Sequence, residues 1–237
     1  MLLRALRSEG MKCRRSPVWA VFLVLPLFPA IMGTLNYLGN LEILDNGWYS
    51  LWSQHTIFSA SFFMPAQFGV FCAWQWRLEH TDHNWNSLMT APVPVRDLYW
   101  SKFLLAAGVA VLGQVCIGVL YLLSGQLAGV SGGLPLQLAG WMFFGALGGM
   151  AVCAVQLFLS LVIPPVALGL VGGIAGLVMT SQGAGLYCPY SLLCLGMRAN
   201  NPNLSLEVGP FVLACGVCIA LFSFLTIRCM AGRDVTT

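Results

Sequence analysis

From Phe103 to Met197 the chain contains no Asp, Glu, Lys, Arg or His. A charged side chain at the centre of a bilayer costs at least about 2.5 kcal/mol, so apolar spans exclude charge, whereas a water-exposed surface depends on it. A charge-free run of this length therefore marks a chain immersed in lipid. The remaining composition agrees: of 237 residues, 58% are hydrophobic and 8% charged, with a mean hydropathy of +0.81. An ordinary soluble domain carries roughly a quarter charged residues. A soluble globular fold is excluded, and membrane spans of roughly 20 residues each leave only short connectors and no room for a second, soluble domain. The net charge of +3 does not point to nucleic acid, because the basic residues crowd the N-terminus and a few loops and form no extended stripe.

Apolar segments predict six transmembrane helices over residues 18–37, 56–76, 103–123, 136–163, 166–180 and 208–227, an all-α integral membrane fold in a single domain over 1–237. Pro164-Pro165 separates a long fourth span from a short fifth, so one tilted or broken helix is an alternative there. Lys and Arg set the orientation. Arg4, Arg7, Lys12, Arg14 and Arg15 precede the first span, Arg77, Arg96 and Lys102 lie between the second and third, and Arg228 and Arg233 follow the last. Only Arg198 falls in an outer loop, which predicts both termini in the cytoplasm. A basic stretch before 18–30 has the general shape of a secretory signal, but the apolar run continues to Leu41 without a small-x-small cleavage site. A retained first helix is the better reading, with Ser16 as N-cap and Pro17 at the first helical position.

The eight acidic residues, Glu9, Glu42, Asp45, Glu79, Asp82, Asp97, Glu207 and Asp234, all fall at or beyond the predicted helix ends. A proton relay through the bilayer, which needs ionisable groups inside it, is not expected. Neither lysine, Lys12 or Lys102, ends a phosphate-binding Gly-rich loop, so active transport would draw its energy from a separate subunit. Glu79, His80, Asp82 and His83 can be drawn as a metal site, with the two histidines three apart, but a solvated or partner-facing helix face is the commoner meaning of such a cluster. His55 falls in an outer connector. Cys215 and Cys218 lack the second pair that zinc requires and read as small packing residues. Cys188 and Cys194 lie in the outer segment, where a bridge is compatible with their spacing, and Asn203-Leu204-Ser205 fits a glycosylation sequon.

Residues 77–102, RLEHTDHNWNSLMTAPVPVRDLYWSK, form the longest polar loop. Thr81 or Asp82 can cap a short helix with Trp85, Leu88 and Met89 on one face, stopped by Pro92 and Pro94. Such a helix either lies on the membrane interface or docks into a cleft of a cytoplasmic partner. The N-terminal MLLRALRSEGMKCRR is a second amphipathic helix, with Arg7, Glu9, Lys12, Arg14 and Arg15 among its polar residues, suited to anionic headgroups. Within the spans, Gly145 and Gly149, Gly169 and Gly173, and Gly172 and Gly176 form small-xxx-small pairs that permit close helix approach. The second span is rich in aromatic residues, which suit either a path for an amphipathic substrate or contact with lipid.

The basic RSEGMKCRRSP before the first span, six helices with both ends inside, and the loop EHTDHNWNSLMTAPVPVRDLYWSK leading into the third span together resemble the permease subunits of type 2 ABC transporters. The likeness is greatest to the lantibiotic-protection branch, whose N-terminal helix carries a Glu-x-x-Lys element, here Glu9 and Lys12. The stretch YCPYSLLCLG, residues 187–196, is similar to the Pro-Tyr-Ser segment those permeases place between the fifth and sixth spans. The resemblance implies a plasma-membrane dimer of permeases, identical or different, over ATPase subunits that hold ATP and Mg, exporting a lantibiotic or similar amphipathic peptide. It also implies no catalytic residue, cofactor or metal in this chain. It makes the loop between spans 2 and 3 a coupling helix, with Glu79, His80, Asp82, Trp85, Leu88 and Met89 as ATPase contacts. A non-transporting membrane sensor or assembly subunit using the same loop is the alternative, and a membrane enzyme built on residues 79–83 a more distant one.

Overall fold

In a computed structural model, the chain is described except at residues 15, 81–84, 86–91, 163–165, 182, 204 and 233–237, with 166–170 described in backbone only. Every regular element among the described residues is helical. An amphipathic helix, α1 (Leu2–Arg14), comes first. Ser16 Oγ accepts the Val18 N–H at 3.2 Å as the chain turns into α2 (Val18–Val24). Pro26 has no N–H to continue the ladder, so a bend separates α2 from α3 (Leu27–Gly39), and the two make one apolar span, Val18–Gly39.

The second span is longer than the apolar window suggests. α4 (Gly47–Phe58), a π-helical segment (Ser59–Phe63) and α5 (Met64–His80) run together as a helix of 34 residues, Gly47–His80. Pro65 explains the irregularity, because it cannot donate to the carbonyl of Ser61 four residues earlier. Gly173 approaches that same carbonyl so closely that a Cβ there would lie 2.2 Å from it. His55, expected in an outer connector, is instead buried in this helix, its Nε2 2.9 Å from Thr34 Oγ1.

α6 (Val95–Leu127) and α7 (Leu138–Val162) follow as long apolar helices. Then come α8 (Val166–Ser181), α9 (Pro189–Met197) and α10 (Val208–Ala231). Five helices among the described residues are long and apolar enough to cross a membrane: Val18–Gly39, Gly47–His80, Val95–Leu127, Leu138–Val162 and Val208–Ala231. α8 has 16 residues and extends about 24 Å, less than the roughly 30 Å hydrocarbon thickness. The expectation of six crossings thus meets five full-length helices and one short one. Pro164 and Pro165 lie outside the described residues.

The segment expected as an outer loop is the buried helix α9. Pro189 opens it and Arg198, in the left-handed region at φ 53, closes it. Its seat depends on glycine. A Cβ on Gly148 would lie 2.3 Å from the Leu192 carbonyl oxygen, and one on Gly196 would lie 2.3 Å from that of Phe144. Polar side chains then fasten α9 on three sides. Trp52 Nε1 donates to the Met197 carbonyl at 2.9 Å, Gln156 Nε2 to Tyr190 Oη at 2.7 Å, and Ser191 Oγ to the Gly176 carbonyl at 2.7 Å. Cys188 and Cys194 are both free thiols. Of the aromatic residues of the second span, Phe68, Phe71 and Trp76 are buried against protein, Phe58, Phe63 and Trp74 are half-buried and Phe62 is exposed.

Candidate functional site

At the end of the bundle that carries α1, three helices bring four full charges together. α1 supplies Glu9 and Lys12, one helical turn apart. α5 supplies Glu79 from its last turn, and α6 supplies Lys102 from its third. Lys102 Nζ donates to Glu9 Oε2 at 2.8 Å, to Glu79 Oε1 at 2.7 Å and to the Gln75 carbonyl at 3.3 Å. An ammonium has three N–H donors, and all are used. Lys12 Nζ donates to Glu9 Oε1 and to Glu79 Oε1, both at 2.6 Å. Each lysine bridges both glutamates, and the set is neutral.

Burial differs sharply between the two lysines. Lys102 has no exposed side-chain surface, whereas Lys12 keeps 33% of its own. Two carboxylates and a fully enclosed ammonium are tolerated only because each charge has opposite partners at hydrogen-bond distance. The face of Trp76 adds a cation–π contact, 5.2 Å from Lys102 Nζ. Partial burial pulls the Lys12 pKa down, but hydrogen bonds and charge from Glu79 and Glu9 outweigh it and hold the group above its ordinary 10.5. Trp19 Nε1 donates to the Cys13 carbonyl at 2.7 Å, which ties off the C-terminal end of α1.

The expected coupling residues divide. Glu79 faces inward and is spent on the two lysines rather than offered at the surface, since a buried carboxylate at the neck of α5 is stable only with such partners. Trp85 is also turned in, its ring 5.1 Å from that of His80 and 6.5 Å from that of Trp76. His80 is exposed, with Nδ1 2.8 Å from the Trp76 carbonyl. Asp82, Leu88 and Met89, like His83 of the drawn metal cluster, lie outside the described residues. On α1, Arg7 and Arg14 are exposed and Glu9 is buried, while Arg15 lies outside the described residues. Arg4, Arg77 and Arg96 are exposed as well.

The glycines expected at helix contacts are within the chain's own packing. Gly145 lies against Gln114 and Met197, Gly149 against Ala110 and Phe68, Gly173 against Ser61 and Pro65, and Gly176 against the backbone of Tyr190 and Ser191. The surroundings of Gly169 lie outside the described residues. Sequence reasoning missed Lys102 as a partner for Glu9 and Glu79. The available signal was a lysine bordering a long charge-free run, where an ionisable group must find a counter-charge.

A search of curated proteins finds no match to this chain. Residues 5–176, more than half of the chain and including every member of the ion cluster, match the family model described as ABC-2 family transporter protein. With its multiple apolar helices and this family match, the chain is a multi-pass membrane protein that belongs to the ABC-2 transporter family.

Proposed function

We propose that the chain is a permease subunit of an ABC exporter, driven by a separate ATPase subunit that binds ATP and Mg, and paired in the membrane with a second permease. Its cargo is a lantibiotic or similar amphipathic antimicrobial peptide, and its role is self-protection at the plasma membrane. Both termini face the cytoplasm and the short α8 completes a sixth crossing. The exposed arginines beside α1 support this orientation, because positive charge is retained on the cytoplasmic side.

The observation that carries the proposal is the ion cluster of Glu9, Lys12, Glu79 and Lys102. It locks the α5 end, the α6 start and α1 into one unit at the root of residues 81–91, where an ATPase would push. A push on a helix in that stretch, with His80, Asp82, Leu88 and Met89 as its contacts, moves two membrane helices together rather than bending one. Glu79 and Trp85 act in this scheme as the anchor behind the contact surface. Rigid-body rearrangement of the packed helices then switches access from one side to the other.

The test is co-purification in detergent with the ABC ATPase encoded nearest to it, followed by the ATPase rate with and without a cationic lanthionine peptide. Stable association with a peptide-stimulated rate is expected. Association without a peptide response removes that cargo and keeps the permease. No association returns the chain to a non-transporting sensor or assembly role.

A further inference from the structure

At the end of the bundle opposite the ion cluster, the start of α4, the start of α7 and the end of α9 enclose a cleft of about 530 Å³, within the usual range for small-ligand sites. Tyr49 in the cleft and Glu79 in the ion cluster are 30 residues apart on the helix Gly47–His80, a distance of up to about 45 Å. A bilayer with its headgroups measures about 40–45 Å. The ion cluster and the cleft therefore lie at opposite headgroup layers.

The lining of the cleft is both apolar and polar. Trp141 on α7 gives it an aromatic floor, fixed by a ring stack with Trp52 at 5.4 Å and an edge contact with Tyr49 at 5.7 Å. Tyr49 Oη donates to Gln137 Oε1 at 2.8 Å, which orients the amide and leaves its Nε2 hydrogens to solvent or to a guest. Arg198 and Asn203 line the cleft as well. Arg198 is the one lysine or arginine between Lys102 and Arg228. Its Nη1 donates to the Leu195 carbonyl at 3.0 Å, which folds the guanidinium back over the end of α9 and keeps it half-buried. Glu42, Asp45 and Glu207, the carboxylates nearest in sequence to this end of the bundle, are exposed, and none of them lines the cleft. The cleft thus sets one positive charge beside an aromatic floor. Leu136, also part of its lining, is 96% exposed and gives it a side open to lipid.

We propose that this cleft holds the headgroup of an anionic phospholipid, a phosphate diester of one net charge such as phosphatidylglycerol. Arg198 takes the phosphate oxygens, for which the planar fork of a guanidinium is suited. The amides of Gln137 and Asn203 take the headgroup hydroxyls, and the acyl chains leave past Leu136. Phosphatidylcholine, whose own ammonium cancels its phosphate charge, lacks the net attraction. The site rests on the membrane placement of the chain and not on the exported peptide or the ATPase, so the two proposals fail separately.

Two photoprobes with identical diazirine-bearing acyl chains test it on the full chain in phosphatidylcholine nanodiscs, one with a phosphatidylglycerol head and the other with a phosphatidylcholine head. Labelling at equal mole fraction is read by peptide mass spectrometry. The expected result is labelling within residues 134–144 or 198–203 that is about three- to fivefold stronger for the anionic probe. Arg198→Gln should even the two probes at these segments, whereas Arg96→Gln, an exposed arginine at the other end of the bundle, should leave the preference unchanged. Equal labelling by the two probes on the unmodified protein overturns the proposal, as does labelling confined to other segments or an equal loss of preference in both variants. Loss of the preference on adding inorganic phosphate at constant ionic strength would make the cleft a free-anion site and overturn its assignment to lipid. The comparison on the unmodified protein decides the matter even where a variant does not insert.

Discussion

The ion cluster and the seat of α9 fasten helices by opposite means. At the α1 end, three helices are joined by two lysines and two glutamates, and the enclosed Lys102 has every donor occupied. Around α9 the described hydrogen bonds to neighbouring helices come from neutral groups, while Arg198 Nη1 donates to the Leu195 carbonyl at the helix's own end. Gly148 and Gly196 let backbones touch, and single neutral hydrogen bonds from Trp52, Gln156 and Ser191 complete the fit. A charged joint tolerates some change in shape but not the loss of its enclosed charge, whereas a close-packed joint tolerates the loss of one hydrogen bond but not an added methyl group. The first suits a place where force arrives and helices must move together. The second suits a place where one arrangement must be held.

Removing Lys102 should have the largest effect. Lys102→Met keeps the length of the side chain but leaves Glu9 and Glu79 sharing only Lys12, and breaking a buried pair this way costs about 3–5 kcal/mol. Thermal unfolding in detergent, followed by fluorescence-detected size exclusion, should show a large fall in melting temperature. Glu79→Gln in the same background should restore part of it, because it removes one of the stranded charges. A Lys102→Met protein as stable as the original, with no recovery in the double variant, would break the contrast between the two joints.

Next in size is a methyl group placed where α7 and α9 touch. Gly148→Ala puts a Cβ 2.3 Å from a backbone oxygen that no side-chain rotation can move. Overpacking of this kind costs typically about 1–3 kcal/mol. Gly216→Ala on α10, where a Cβ meets nothing within 4 Å, should be neutral or slightly stabilising in the same assay, since Ala favours helix over Gly. Equal losses at both positions would mean that helix propensity, not contact, sets the effect.

The two joints were also unequally legible in the sequence. Spans declared themselves through hydropathy and missing charge, and Glu9-x-x-Lys12 was visible as a unit. Lys102 was read for orientation and for the missing phosphate-binding loop, neither of which names a partner, because charge counting gives a side of the membrane only. Glu79, read as a surface contact, turned out to face inward, since polarity in a loop does not say which way a helix end is rotated. α9 was the larger miss. Residues 187–196 combine Pro, Tyr, Ser and two cysteines between spans, which reads as an outer loop. Only the facing glycines, Gly148 and Gly196, reveal that a helix sits there, and they lie far apart in sequence and match no local motif. Long helices likewise exceed their apolar windows: α4 begins at Gly47 and carries Trp48, Trp52 and His55, and Trp52 Nε1 and His55 Nε2 find partners inside the protein.

A smaller loss is expected from Trp52→Phe. It removes the 2.9 Å hydrogen bond to the Met197 carbonyl while keeping an aromatic ring stacked near Trp141 and Tyr121. A net hydrogen bond contributes about 0.5–1.5 kcal/mol, so a modest fall in melting temperature is expected, well below that of Gly148→Ala. A loss as large as that of Lys102→Met would show that the polar fastening of α9, rather than its close packing, holds the helix.

Lys12 gives the smallest and most diagnostic effect, because it is the exposed corner of the charged joint. With 33% of its side chain open to solvent, its pairs with Glu9 and Glu79 are screened, and Lys12→Met should cost no more than about 1 kcal/mol. The pKa of Lys12 is raised above 10.5 in the folded protein. The folded state therefore holds this proton more tightly than the unfolded chain. The contribution is fully present below 10.5 and is lost as pH rises through the raised value. The melting-temperature gap between the original protein and Lys12→Met should stay constant between about pH 7 and 9 and close only at higher pH. A gap that closed below about pH 9 would mean that Lys12 loses its proton in the folded state more readily than a free lysine, and that the charged joint is held by Lys102 alone.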